Sequence, residues 1–222
     1  MIPPRPALRD LARRFPTVSE RCYVRGKLAS DPLYPAVLRA LDGTDAPLLD
    51  IGCGMGLLGF YLRLGGWMPP ISGIDYDARK IKTACRLAPD FPGKLDFARG
   101  DAMAGLPPHS GSVTILDILQ YFPVAERARL LAAAADRVSP GGVLVIRTGL
   151  TDSSLRFHIT RAMDHVASLA RWMKSPPLHY PTAGEITDTL ARAGLDGRFT
   201  PLWGRTPFNN WLGVFRRANS RD

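Results

Sequence analysis

The chain has 222 residues, of which 45% are hydrophobic and 22% charged, and this composition is typical of one sizeable globular α/β domain. It has no apolar run as long as the roughly 18 residues of a membrane span, and residues 1–5 begin no apolar signal segment. Three scattered cysteines (Cys22, Cys53 and Cys85) argue against a disulfide framework or a zinc site, so we expect a cytoplasmic protein without a metal.

The net charge of +9 is concentrated outside the centre of the chain. Residues 44–150 carry 11 basic and 10 acidic side chains, whereas the two flanks together carry 18 basic and 10 acidic ones. An anionic substrate, an acidic carrier protein, nucleic acid or a membrane surface would explain basic flanks. An arginine-rich genome would explain them equally well, because lysine is scarce.

The first 43 residues predict a helical cap. Helices are expected over residues 6–15 and 19–29, and Asp31-Pro32 is a good start for a third because an N-cap acid precedes proline. The stretch 23–27 contains Tyr23 and Lys27, which suit a lid over a site, although a solvated helix face is the simpler interpretation.

Strands and helices alternate from residue 46 onward. Apolar strands are predicted at 47–51, 71–74, 95–98, 113–116 and 143–146, with helices at 57–64, 78–87 and 125–138. This alternation is typical of a doubly wound parallel sheet, whose ligand crevice lies at the carboxyl ends of the strands. Four of these strands end in, or run into, an acid: Asp50, Asp75, Asp101 and Asp117.

The last 72 residues predict a helical insert and a hairpin. A long helix over 155–174 forms most of an insert at 151–180, which contains His158, His165 and His179. A capping box at Thr182 opens a further helix, and strands at 198–203 and 210–215 close the chain.

A glycine-rich turn follows the first strand. Gly52, Gly54 and Gly56 give G-x-G-x-G with leucine next, which departs from the G-x-G-x-x-G of dinucleotide enzymes. Asp50 precedes the turn, and close backbone beside an acid suits a ligand with a positive group. Asp75 ends the next strand, where a carboxylate binds the hydroxyls of a ribose.

These motifs, together with residues 100–102 and 115–120, resemble the class I S-adenosylmethionine-dependent methyltransferases. The resemblance covers roughly residues 44–150, with a family-like tail to 217. It implies a Rossmann-like seven-stranded sheet whose last strand is antiparallel, preceded by the cap at 1–43 and interrupted by the lid at 151–180. It also implies S-adenosylmethionine as cofactor.

The resemblance assigns roles to individual residues. The glycines would pass beneath the methionine and ribose, Asp75 would hold the ribose hydroxyls, and Asp101 would meet the adenine amino group. The implied cofactor-binding set is Asp50, Gly52, Cys53, Gly54, Gly56, Asp75, Tyr76, Asp101, Ala102, Leu116, Asp117 and Gln120. Many relatives carry histidine where this chain has Gln120, so the catalytic base stays unknown. Its candidates are Gln120, Tyr23, His158 and His179.

The acceptor stays open at this stage. Amino-methyltransferases that act on adenine or glutamine usually have Pro-Pro-Tyr after the fourth strand, whereas this chain has Ile118-Leu119-Gln120. A small, lipid-like or carrier-bound acceptor therefore fits best, with peripheral membrane contact left open and nucleic acid disfavoured. The alternatives are an RNA methyltransferase and a non-catalytic protein with the same fold.

Overall fold

The computed structural model describes residues 1–152, 156–157, 179–204 and 208–217. Most of the predicted insert at 151–180, including His158 and His165, therefore lies outside the described residues. None of the described helices is long and apolar enough to cross a bilayer.

One seven-stranded sheet forms the centre of the molecule, in the order β3-β2-β1-β4-β5-β7-β6. The first five strands are parallel, and β7 runs antiparallel to both of its neighbours. The strands are β1 (Leu48–Ile51), β2 (Ile71–Asp75), β3 (Leu95–Arg99), β4 (Ser112–Leu116), β5 (Val143–Gly149), β6 (Leu195–Pro201) and β7 (Asn210–Arg217). The predicted doubly wound sheet with an antiparallel last strand is confirmed.

Helices cover both faces of this sheet. They are α1 (Arg5–Arg13), α2 (Val18–Ser30), α3 (Leu33–Ala40), α4 (Leu57–Leu64), α5 (Ala78–Leu87), α6 (Val124–Ala135) and α7 (Ala183–Arg192). The predicted bounds of α4 and α5 are confirmed, since Gly56 precedes the first and the Asp77 side chain caps the second. Helix α3 begins one residue later than predicted, with Pro32 rather than Asp31 at the N-cap position, although Oδ1 of Asp31 accepts the amide of Leu33 at 3.0 Å.

Each face of the sheet has its own hydrophobic core. One core joins α1–α5 to sheet residues such as Leu48 and Val145. The other packs α6 and α7 against residues such as Leu49 and Ile146. Neighbouring strand residues enter opposite cores because side chains alternate across a strand. The N-terminal helices thus share a core with the sheet, while the predicted domain boundary at residue 43 stays a prediction.

Two strands have an end that differs by three residues from its predicted position, and the other five strands differ by at most two. β5 continues to Gly149 rather than ending at Ile146, because all seven of its residues are buried and paired with residues of β7. β6 covers Leu195–Pro201 rather than 198–203, since its register with β7 begins where α7 ends. The extension of β5 matters because it brings Arg147 into the sheet.

An aromatic cluster fixes α4, the helix that follows the glycine turn. Phe60 is fully buried. Its ring centroid lies 6.4 Å from that of Phe15 in the N-terminal helical region, 4.5 Å from that of Phe91 and 5.8 Å from that of Phe97 in β3. Such pairs add to the free energy gained from buried area alone.

Phe60→Ala should lower the free energy of unfolding by about 3–5 kcal/mol, because it removes a fully buried ring and leaves a cavity. Val124→Ala is the control, since Val124 is 55% exposed and its truncation should cost less than about 0.5 kcal/mol. Chemical denaturation of both variants measures the difference. Equal losses would show that the cluster does not hold α4.

Candidate active site

The glycine turn lies at the carboxyl edge of the sheet, between β1 and α4. The amides of Gly52 and Cys53 both donate to the carbonyl of Ile74 in β2, at 2.8 and 3.0 Å. Gly52, Gly54 and Gly56 all have positive φ, of 80°, 56° and 76°. Residues with a Cβ rarely adopt this backbone, so the three glycines are required by the shape of the turn.

The space beside the three glycines differs. A Cβ on Gly52 would lie 2.8 Å from Ile118, and one on Gly56 would lie 2.8 Å from Phe97. A Cβ on Gly54 would meet a single neighbouring atom, of Lys80, at 4.0 Å. The turn is therefore packed at both ends and open in its middle, where a ligand can approach the backbone.

Asp75 holds the open part of the turn. Its carboxylate accepts the amide of Gly54 at 2.9 Å and the amide of Asp77 at 2.8 Å. The side chain is buried, at 7% exposure. Each carboxylate oxygen has a further lone pair, so Asp75 can shape the turn and still accept hydroxyl groups from a ligand.

Asp50 is the most deeply buried acid of the crevice, at 3% exposure. Its Oδ1 accepts a 2.7 Å hydrogen bond from Thr114 of β4. Burial, opposed by the Thr114 hydrogen bond and supported by the nearby Asp75 carboxylate, raises the pKa of Asp50 from 3.8 to about 7. A cation in the crevice would favour the ionised form of this acid.

The next residues of the predicted set are Cys53, which belongs to the glycine turn, and Tyr76, Asp101 and Ala102, which were predicted to lie near the adenine. Cys53 lies in the core against Gly73, and burial raises the pKa of its thiol, which disfavours the thiolate. Tyr76 is 53% exposed beside Asp75. Asp101 is exposed at the rim, where its Oδ1 accepts the amide of Met103, and Ala102 follows it half-buried.

The residues predicted to wall the methionine end lie after β4. Leu116 is half-buried, and Asp117 has a φ of 60°, which is rare for a residue other than glycine. Gln120 closes this loop, because its Nε2 donates to the carbonyl of Asp117 at 2.9 Å. The backbone amide of His179 donates to the carbonyl of Gln120 at 3.3 Å, so the main chains of these two base candidates are in contact.

Sequence reasoning missed a cluster of four charged side chains at this end of the crevice, which we call the edge cluster: Lys27, Asp31, Asp117 and Arg147. Arg147 is paired with Leu116 in the sheet, and its side chain is 3% exposed. Its guanidinium binds Asp31 through two bonds, of 3.2 and 3.3 Å, and also binds Asp117. The missed signal is an arginine at the carboxyl end of a buried strand.

The two carboxylates keep Arg147 charged in this buried place. Burial opposes the charge, but Asp117 and Asp31 outweigh it, so the pKa of Arg147 is raised. Burial would also raise the pKa of Asp31, whereas Arg147 and Lys27 lower it more strongly. A buried ion pair of this kind requires both partners, because removal of one leaves an uncompensated charge.

Helix α2 crosses the carboxyl edge of the sheet from one side of the crevice to the other. Near its start, Glu20 accepts a 3.2 Å hydrogen bond from Thr83 of α5. At its end, Lys27 Nζ lies 3.0 Å from Asp31 and 3.8 Å from Asp117. Tyr23, between them, is 54% exposed. The position fits the predicted lid, and Lys27 is paired rather than solvated.

Comparison with known proteins agrees with this architecture. Residues 48–142 match the family model described as "Methyltransferase domain". Residues 48–142 thus form a methyltransferase domain, and its fold is that of S-adenosylmethionine-dependent methyltransferases. The predicted family resemblance is thereby confirmed, and the matched residues of this methyltransferase domain include the glycine turn, Asp75, Asp101 and Asp117.

Solved structures share the fold over nearly the whole chain. Magnesium protoporphyrin IX methyltransferase from Synechocystis PCC 6803, solved with S-adenosylhomocysteine, is 16% identical; the alignment covers 91% of this chain and 89% of that one, with a TM-score of 0.67. The S-adenosylmethionine-dependent methyltransferase SibL is 19% identical; the alignment covers 96% of this chain and 62% of SibL, with a TM-score of 0.68. At these identities the likeness is one of fold.

A curated relative is similar in sequence over part of its length. Ribosomal RNA small subunit methyltransferase A of Chelativorans sp. (strain BNC1) is 31% identical over 121 residues, which are 52% of this chain. The chain spans 44% of the length of that relative.

The raised pKa of Asp50 predicts a pH dependence that Asp50→Asn should remove. From about pH 4 to about pH 7 the folded protein keeps a proton that the unfolded chain has lost, so the wild type loses stability as the pH rises. Asparagine does not titrate and can still accept the Thr114 bond. The stability of the variant relative to the wild type should therefore rise through this window in denaturant titrations. A difference that is constant with pH would contradict the assignment.

Proposed function

We propose that this protein transfers a methyl group from S-adenosylmethionine to a small-molecule, lipid-like or carrier-bound acceptor. The observation that carries the proposal is the turn at Gly54, which is open to a ligand and held by the buried carboxylate of Asp75. The methyltransferase domain that spans these residues supports the same activity.

The residues of the crevice fit this cofactor. Asp75 would accept the ribose hydroxyls, the backbone at Gly54 would lie against the ligand, and Asp50 would face its positive charge. Tyr76, Asp101 and Ala102 would border the adenine, and Leu116, Asp117 and Gln120 the methionine. When bound, the cofactor supplies an activated methyl group on a sulfonium, whose leaving group is a neutral thioether. Much of the protein's contribution is then alignment of the two reactants.

A small or carrier-bound acceptor has two supports. Solved structures of the same fold include a methyltransferase named for magnesium protoporphyrin IX. The loop after β4 contains Ile118-Leu119-Gln120, which differs from the Pro-Pro-Tyr sequence of adenine and glutamine methyltransferases. The predicted cytoplasmic location and the acidic carrier remain part of this proposal.

Asp75→Ala should weaken the binding of S-adenosylhomocysteine at least about 10-fold, because hydrogen bonds to a charged group are lost together with the support of the Gly54 amide. Calorimetric titration measures the affinity, and Asp75→Asn removes the charge and one of the two acceptor oxygens while the side chain keeps its size. Asp96→Ala is the matched control, since that side chain is exposed on β3. A wild-type protein that does not bind S-adenosylhomocysteine would overturn the proposal, and binding without turnover on any cell extract would favour a non-catalytic role.

Methylation of RNA is the second candidate, and the 31% identity to a ribosomal RNA methyltransferase favours it. An RNA-binding surface neutralises phosphates, so its affinity falls steeply with salt. Filter binding of ribosomal RNA across a salt series should show weak binding by this protein and no sequence preference. Tight binding with a steep salt slope would instead favour the RNA methyltransferase.

A further inference from the structure

The edge cluster contains two positive and two negative side chains, so its formal charge is zero. Lys27 and Arg147 each contact both Asp31 and Asp117. The cluster connects the end of α2 with the carboxyl ends of β4 and β5, at the side of the crevice where the methyl group would be presented.

Two buried polar atoms beside Asp117 have no hydrogen-bond partner among the described residues. They are Nε of Arg147 and Oε1 of Gln120. Arg147 is bound to the Asp117 carboxylate and Gln120 to the Asp117 carbonyl, so both lie around one residue. Buried polar groups are nearly always satisfied in folded proteins, so the unused Nε–H donor of Arg147 indicates a place where a ligand that accepts hydrogen bonds binds.

Lys27 is a fixed cation in this place. Burial lowers the pKa of its ammonium, but Asp117, Tyr23 and Asp31 together outweigh burial and the repulsion from Arg147, so the pKa is raised. Tyr34, on α3, also faces the cluster and is neutral, because burial raises the pKa of its phenol. Of the three N–H donors of the ammonium, one is directed to Asp31, which leaves donors for a ligand.

We infer that Lys27 binds the ionised oxygen of the acceptor, and that the acceptors of this protein are therefore acids, either carboxylic acids or phenols. The inference rests on the proposed function and specifies its substrate class. An ionised acceptor oxygen is attracted by Lys27 and by the bound sulfonium, whereas an ammonium acceptor would be repelled by both.

The methyl transfer is then complete without a base. A lone pair of the acceptor oxygen forms the new bond to the methyl carbon, the carbon–sulfur bond breaks, and its electron pair stays on sulfur. The acceptor loses its negative charge and the sulfonium becomes a neutral thioether. No proton moves in this step, so neither Gln120 nor His179 needs to act as a base.

Binding to the complex with sinefungin tests the inference without turnover. Sinefungin has an ammonium where the cofactor has its methyl sulfonium, and S-adenosylhomocysteine has no charge there. Calorimetry should show that 3-phenylpropanoate binds the sinefungin complex at least about 5-fold more tightly than the S-adenosylhomocysteine complex, a normal size for coupled sites. Phenethylammonium, which has a similar apolar body, should bind neither. An arm with 4-nitrophenolate separates phenols from carboxylic acids, and binding of either anion supports the inference.

Variants at one position assign the effect to Lys27. Lys27→Met should abolish the preference for anions while sinefungin still binds, and Lys27→Arg should keep most of it. Lys94→Met is the matched control, because Lys94 lies at the opposite edge of the sheet and is exposed. If sinefungin binds but the anions bind weakly, equally with phenethylammonium, or equally to Lys27→Met, the inference is wrong and the proposed function stands. Failure of sinefungin itself to bind would overturn the proposed function.

Discussion

The site depends on how the turn after β1 is attached to β2. Two amides of the turn donate to the carbonyl of Ile74, and the next residue, Asp75, receives the amide of Gly54 on its carboxylate. The strand that supplies the ribose-binding acid of the proposal thus also holds the loop of the neighbouring strand. Any shift of β2 along β1 would displace the turn and the acid together, which keeps their relative position constant.

A second constraint is charge at the carboxyl edge. Burying an isolated carboxylate costs free energy, and each acid of the crevice has a different compensating interaction. Asp50 has a raised pKa and one hydroxyl donor, Asp75 accepts two backbone amides, and Asp117 is paired with Arg147. The acid nearest the acceptor is therefore the one that is neutralised by side chains rather than by backbone.

The sequence predicted the parallel sheet, the glycine turn and the acids at the strand ends, because all three follow from local patterns. It did not predict the edge cluster. Asp31 and Arg147 are 116 residues apart, and no periodicity connects them. The predicted fifth strand ended at Ile146, one residue before Arg147, although the strand is buried to its end at Gly149. Asp31 was predicted only as a helix cap, so its ion pair with Arg147 was not expected.

Helix α2 is held in an unusual way for an element that covers a site. Of its thirteen residues Val24 alone is buried, and its two ends are attached by polar contacts, through Glu20 and through Lys27. An opening of this helix would therefore expose little apolar surface, and the contacts at its ends are ones that water and salt ions can replace. Access to the crevice should accordingly become faster as ionic strength rises, while the strands beneath keep their protection from hydrogen exchange.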